Sequence, residues 1–401
     1  MLMRWLAPAA MLLAGLAPLA AQDGRTSFDF EGDVNGFVAV RIDKSAVAAD
    51  EKSEIGLSRD AGFFKQGVSA LTYHYDVQPQ SIRGLYAPAK VPAGAKGFHA
   101  WVRNDRASQL LFSLRENDGS AYQLMCCVAA NEWQEITANF ADFEPDENSL
   151  DDNGKLDLDQ VGSIGVSDFA VLLANAPAGA GPAIPDLLGR RRLWLDDVRF
   201  PVVAEPLSHG LAEVSGKKLA ILDNFDSGLL RWTPVKMILG AQGPSFSILP
   251  PGSKLEAIAA AAGPGMARTP DEAGGKGLRY SYTRGAQEIW GVHRKLNGLP
   301  LSGMSRFRLA TNCSKPSFLV LQLKEKDGSS YQFAVQPGES TGWQTRSINL
   351  ATDPKLEGDS KDENGHLDAA QIVEITVFDA SGLAMLELGP ASFELDALVF
   401  E

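Results

Sequence analysis

The chain has 401 residues, 45% of them hydrophobic and 22% charged, enough apolar material for more than one packed core. Its formal net charge of −13 argues against nucleic acid or anionic lipid as a partner, because both need a basic footprint. Three cysteines are too few for a disulfide scaffold, and their spacing supports no metal site.

The chain opens MLMRWLAPAAMLLAGLAPLAAQDG. A single Arg4 precedes an Ala/Leu-rich run that ends on small residues at Ala20 and Ala21. That layout predicts a secretory signal peptide over residues 1–21 and a secreted or periplasmic protein. The run is short and broken by Pro8 and Pro18, and no later segment is long and apolar enough to enter a bilayer.

From there each strong pattern occurs twice. FDFEGD (28–33) returns as DNFDSG (223–228), and ALTYHY (70–75) as GLRYSY (277–282). SLRENDGSAYQL (113–124) returns as QLKEKDGSSYQF (322–333), and NEWQEI (131–136) as TGWQTR (341–346). DDNGKLDLDQV (151–161) returns as DENGHLDAAQI (362–372), and RLWLDDVRF (192–200) as SFELDALVF (392–400). Solenoid units are about 20–50 residues long, so a spacing near 200 means duplication of a whole domain. The expected layout is domain one over 26–203, a linker over 204–217 and domain two over 218–401. Two Ala/Gly/Pro-rich stretches without a counterpart, 174–192 and 253–277, read as exposed loops, with a short helical turn open to EAIAAAA.

Inside each copy the pieces alternate with period two, as strands do. Phe98, Ala100 and Val102 face one way and His99, Trp101 and Arg103 the other. Leu110, Phe112 and Leu114 form a stripe, Asp118-Gly119 turns the chain, and Tyr122 and Leu124 continue it. Asp327-Gly328 does the same in the second copy, a strong hairpin signal each time. Long helical periodicity is absent. The fold class is therefore all-β, two tandem β-sandwiches or jelly rolls.

The order of these marks resembles the galactose-binding-like jelly rolls, a group that holds many bacterial carbohydrate-binding modules and the domain of complex I intermediate-associated proteins. The marks are Phe30-Glu31-Gly32 and Phe225-Asp226 early, Trp133 and Trp343 in mid-domain, and Leu195-Asp196-Asp197-Val198 and Leu395-Asp396-Ala397-Leu398 at the close. The resemblance implies a structural calcium ion that ties the first strand to the last, held by Glu31 with Asp196 and by Asp226 with Asp396. The alternative is that the two closing aspartates hydrogen-bond a neighbouring turn.

The repeated DDNGKLDLDQV invites comparison with an EF-hand loop. With Gly154 at the sixth position, the first and twelfth ligands become Ser149 and Gln160; in the second copy they are Ser360 and Gln371. The two strongest calcium contacts are missing both times, so a turn is the better reading.

A sugar site needs an aromatic platform with polar side chains around it. The candidates are His99, Trp101 and Arg103, with Arg115 and Gln123 expected on the same side; in domain two, Trp290 and His293 take their place. Tyr73, Tyr75, Tyr280 and Tyr282 recur in both halves and are expected in the core, as are Trp133 and Trp343. No nucleophile elbow, Walker loop, dinucleotide fingerprint or His-rich metal motif is present. The leading expectation is an exported, non-catalytic carbohydrate-binding protein. Its alternatives are a protein-interaction or envelope-assembly protein and a jelly-roll polysaccharide lyase or hydrolase.

Overall fold

The computed structural model describes residues 24–43, 46–79, 81–146, 149, 151, 153–169, 188–202, 210–214, 216–223, 225, 229, 231–240, 243–248, 250, 252–259, 275–296, 299–337, 342–358, 360–362 and 364–401. The leader and Asp226 lie outside the described residues. The chain divides into two compact units, 1–205 and 206–401.

The first unit carries β1 (Ser27–Phe28), β2 (Val38–Asp43), β3 (Ala46–Ala49), β4 (Glu54–Ser58), β5 (Ala70–Val77), β6 (Ser81–Pro88) and β7 (Gly97–Asn104). It continues with β8 (Ser108–Glu116), β9 (Ala121–Val128), β10 (Gln134–Asn139), β11 (Glu144–Pro145), β12 (Val161–Asp168) and β13 (Gly189–Arg199). The second unit begins with β14 (Gly210–Val214), β15 (Lys217–Asp223), β16 (Thr233–Gly240), β17 (Gly243–Ile248), β18 (Lys254–Ala259), β19 (Lys276–Arg284) and β20 (Glu288–Lys295). It ends with β21 (Arg306–Cys313), β22 (Phe318–Glu325), β23 (Ser330–Pro337), β24 (Gln344–Asn349), β25 (Lys355–Leu356), β26 (Ile372–Asp379) and β27 (Gly389–Phe400).

Two sheets form each unit. One sheet of the first unit runs β10-β7-β13-β5-β4, with β1 added to β13; the other is seven-stranded, β11-β9-β8-β12-β6-β2-β3. The second unit repeats both orders, as β24-β21-β27-β19-β18 with β15 on β27, and β25-β23-β22-β26-β20-β16-β17. This shared topology is what the duplicated sequence encodes. Each unit is an all-β sandwich of jelly-roll type, and its core lies between its two sheets.

Three expectations need correction. Residues 210–214, expected in the linker, form β14 and pair with β15. Lys254–Ala259, expected in a loop with a helical turn, is instead β18 and pairs with β19; Leu255 and Ile258 let it serve as a strand. Residues 189–192 of the other expected loop open β13.

The Asp-Gly hairpins close as their chemistry requires. Gly119 and Gly328 sit at φ +101° and +97°, and the preceding aspartates accept from Ser120 and Ser329 N, both at 2.8 Å. The tyrosines expected in the core are there: Tyr73 and Tyr75 are buried and stacked 4.5 Å apart, and Tyr280 and Tyr282 are buried too. All three cysteines are buried and free. Trp133 and Trp343 are only half-buried, and Trp133 Nε1 donates to Gly62 O at 3.0 Å.

A buried tyrosine–aspartate pair bridges the two sheets of each unit. Tyr75 of β5 donates to Asp168 of β12 at 2.7 Å, and Tyr282 of β19 donates to Asp379 of β26 at 2.5 Å. Burial first, and the Asp168 charge second, push the Tyr75 phenol far above its usual pKa. A buried carboxylate needs a cation, and the two units supply it from different strands. Arg191 of β13 lies 3.4 Å from Asp168, whereas Arg284 of β19 lies 2.6 Å from Asp379.

Candidate functional site

The side chains expected to bind a ligand fall on three sheet faces and, for Trp290, in a core. His99, Trp101 and Arg103 lie on β7, and Arg115 and Gln123 on β8 and β9 of the opposite sheet. The face expected from sequence is therefore split between the outer sides of a sandwich. Phe98 and Phe112 meet through the core between them, ring centroids 5.3 Å apart. A single jelly-roll crossover separates β7 from β8, and alternation alone does not report it.

The outer side of β7 is roofed by the chain itself. Arg103 is held over the rings of Phe63 and Trp194 at 4.6 and 5.5 Å and donates to Gly62 O at 3.0 Å. Lys65 Nζ sits 4.3 Å over Trp101. His99 is buried, its Nε2 3.3 Å from Asp197 Oδ2. These side chains anchor the segment between β4 and β5. They do not present an open platform.

The same segment explains the expected calcium ligands. Asp196 Oδ2 accepts from Lys65 N and Gln66 N at 2.6 and 2.8 Å, and its Oδ1 accepts from Asp197 N at 2.8 Å. Glu31 turns both oxygens toward Val68 N, each at 3.1 Å. Calcium needs several oxygen acceptors aimed at one centre. Here backbone N–H groups donate to both carboxylates, and the pair clamps the segment between β4 and β5. In the second unit, Asp396 Oδ1 likewise accepts from Ala397 N at 2.7 Å. The backbone strain is repeated as well: Phe30 and Phe225 have φ +57° and +60°, and Asp197 and Ala397 have +45° and +50°.

The repeated Asn-Gly stretch is a turn in both units. Asn153 N donates to Asp151 Oδ1 at 2.9 Å and Asn364 N to Asp362 Oδ1 at 3.1 Å, with Gly154 and Gly365 at φ +67° and +73°. Asp362 lies with Glu325 and Asp327 in an acidic trio whose oxygens come within 4.8 Å of one another. Tyr331 donates to Asp362, and Ser329 Oγ to Glu325 at 2.6 Å.

Trp290 also needs correction. It is buried in the second core, stacked on Tyr282 at 5.4 Å and 16°, with Nε1 donating to Glu288 at 3.0 Å. His293 is three residues away and faces outward, since residues an odd number apart on a strand point to opposite sides.

What remains is the outer side of the seven-stranded sheets, where Arg115, Gln123 and His293 do fall. In the first unit, cross-strand register aligns Tyr86, Gly165, Ser113 and Gln123 in one row over β6, β12, β8 and β9. The row spans three strand spacings, about 14 Å. Ser113 and Gly165 are buried and Tyr86, Arg115 and Gln123 half-buried, so the face is recessed along its floor. Gly165 helps keep the floor low: a Cβ there would stand 2.6 Å from Ser113 Oγ. Gln123 Nε2 donates to Asp146 at 2.6 Å.

The equivalent row of the second unit is His293, Thr376, Gln322 and Gln332. His293 Nδ1 lies 3.2 Å from Thr376 Oγ1, and Gln322 Nε2 donates to Glu357 at 3.1 Å, as Gln123 does to Asp146. Desolvation, then Lys295 and Lys324, hold the His293 imidazole below its usual pKa against the opposing pull of Glu374. An aromatic ring is present here too, one strand over. Phe378 is half-buried beside Gly291, whose Cβ would stand 2.7 Å from Phe378 Cβ. Sequence reading missed Tyr86, Phe378 and Ser163. Once the sheets are assigned, period two along β6 and β26 finds them.

No protein-family model matches the chain, and no curated protein does. Among solved structures it is similar to the family 11 carbohydrate-binding module of the cellulosomal cellulase Lic26A-Cel5E of Clostridium thermocellum. The identity is 17%, covering 48% of this chain and 95% of that one, with a TM-score of 0.31. It is also similar to the CBM22-1-CBM22-2 tandem domain of Paenibacillus barcinonensis, at 10% identity over 95% of this chain and 99% of that one, TM-score 0.25. A third similar structure, TmCBM61, is in complex with β-1,4-galactotriose, at 11% identity over 43% of this chain and 89% of that one, TM-score 0.27.

Proposed function

We propose that the protein binds carbohydrate, on the outer face of the seven-stranded sheet in each unit. One observation carries the reading. A row at matching register recurs in both units, with hydroxyl and amide groups in the first and hydroxyl, amide and imidazole groups in the second, and a half-buried aromatic ring stands with each, Tyr86 in the first and Phe378 beside the second. Amide and carboxylate groups such as Gln123 with Asp146 satisfy sugar hydroxyls, and the ring packs against the apolar C–H face of a pyranose. A row about 14 Å long accommodates a short run of sugar units rather than a single one. Two such faces on one chain raise avidity for a polymer above the affinity of either. The leader-like opening of the sequence supports export, which puts the faces where polysaccharide is met.

The test is retention of the full chain on a panel of plant, algal and bacterial polysaccharides, with Tyr86→Ala, Phe378→Ala and Trp101→Ala variants alongside. Retention by the wild type, weakened by the first two changes and kept by the third, supports the reading. No retention on any polysaccharide removes it.

A further inference from the structure

The two faces differ in one cross-strand pair. In the second unit Lys324 of β22 stands opposite Glu374 of β26, and Lys324 Nζ reaches Glu374 Oε2 at 3.2 Å. The first unit has Arg115 of β8 at the position of Lys324, and opposite it on β12 is Ser163. The carboxylate that closes the pair in the second unit is thus absent from the first.

Arg115 has no such ion-pair partner among the described residues. It donates no hydrogen bond among the described residues, and its Nη1 is shielded from solvent without a partner. Burial pulls its pKa down, and the nearby carboxylates of Asp146 and Asp118 oppose that shift. Neither aspartate closes an ion pair with it. Asp146 accepts from Gln123 at 2.6 Å, and Asp118 accepts from Ser120 N at 2.8 Å. A guanidinium held half-buried beside a recessed floor costs desolvation that a bound anion offsets.

We infer that the first unit selects an acidic sugar, a hexuronate whose carboxylate takes at Arg115 the place that Glu374 fills beside Lys324 in the second unit. The guanidinium offers two parallel N–H donors to that carboxylate. Tyr86, one row away on β6, packs the sugar ring, and Ser163 leaves room for the carboxylate. The second unit, with its cation already paired, reads uncharged sugars. This inference rests on the carbohydrate reading of the same faces.

The experiment titrates the full chain with polygalacturonate and with alginate, each beside its carboxyl-reduced form, which keeps the linkage and loses the charge. Wild type, Arg115→Gln and Ser163→Glu are compared. The wild type is expected to bind at least one acidic polymer about tenfold or more tightly than its reduced form, a preference that weakens with salt. Arg115→Gln is expected to erase the preference. Ser163→Glu is expected to do the same by installing the ion pair of the second unit; if that variant fails to fold, Arg115→Gln decides alone. A reduced form bound as tightly as its acid, or a preference that survives Arg115→Gln, overturns the inference. Binding confined to neutral polymers overturns it and leaves the carbohydrate reading in place. Binding to no polymer of either kind removes both.

Discussion

Glu31 turns both carboxylate oxygens toward the backbone N–H of Val68, each at 3.1 Å. Gly67, with φ +56°, passes directly beneath that carboxylate, and a Cβ on it would overlap the Glu31 oxygens. Gly67→Ala is therefore expected to destabilise the protein by about 1–3 kcal/mol, through a strained φ and a steric clash. Glu31→Ala in the same chain should recover the clash and not the strain. A thermal-melt double-mutant cycle checks this; strictly additive changes would contradict contact between the two.

The same clamp bears on calcium. The N–H donors at Glu31 and Asp196 make the loop self-sufficient, so chelator treatment is expected to leave the melting temperature of the protein unchanged. A fall on chelation that calcium reverses would show that an ion is a resident part of the fold.

Asp168 and Asp379 occupy matching positions, yet Arg191 neutralises one and Arg284 the other. The position of Arg284 is Val77 in the first unit, and both stand opposite a glycine of the last strand, Gly189 or Gly389. Removing Arg191 leaves a buried carboxylate without its cation and is expected to cost roughly 3–5 kcal/mol. Val77→Arg added to Arg191→Ala is expected to restore part of that loss by taking the geometry of the second unit. Denaturant midpoints measure it, and no recovery would show that the two networks are not interchangeable.

The His293 imidazole is held below its usual pKa, chiefly by desolvation, with Lys295 and Lys324 acting in the same direction, Glu374 opposing them, and Thr376 hydrogen-bonded to the ring. The unfolded chain therefore takes up this proton first as the pH falls. Stability from this residue is complete above about pH 6.5 and is lost as the pH drops below that value toward the folded-state pKa. His293→Gln is expected to flatten that part of the stability profile. An unchanged profile between pH 7 and 5, the conventional range for such a scan, would contradict the assignment.

Much of the fold was legible because its signals are local. The Asp-Gly turns at Gly119 and Gly328, the alternating Leu110-Phe112-Leu114 and Leu319-Leu321-Leu323 stripes and the matched closing strands gave the duplication and the sandwich. The site was only partly legible, because alternation says which side of its own strand a residue takes and not which sheet that strand joins. Alternation groups Arg115 and Gln123 with Trp101, although β8 and β9 belong to the sheet opposite β7. The EIWGVHRK stretch sets Trp290 beside His293 in sequence, although three residues along a strand put them on opposite sides. The clamp that covers Trp101 depends on Asp196 reaching Lys65 and Gln66, 131 and 130 residues away, and no local pattern carries such a contact.

The most direct measurement is a crystal structure of the full chain with a bound oligosaccharide. Pyranose rings are expected along the row of Tyr86, Ser113 and Gln123 or of His293, Gln322 and Gln332, packed against Tyr86 or Phe378. Sugar seated instead on the loops at an end of the sandwich, or over Trp101 with the Phe63–Lys65 segment displaced, would contradict it.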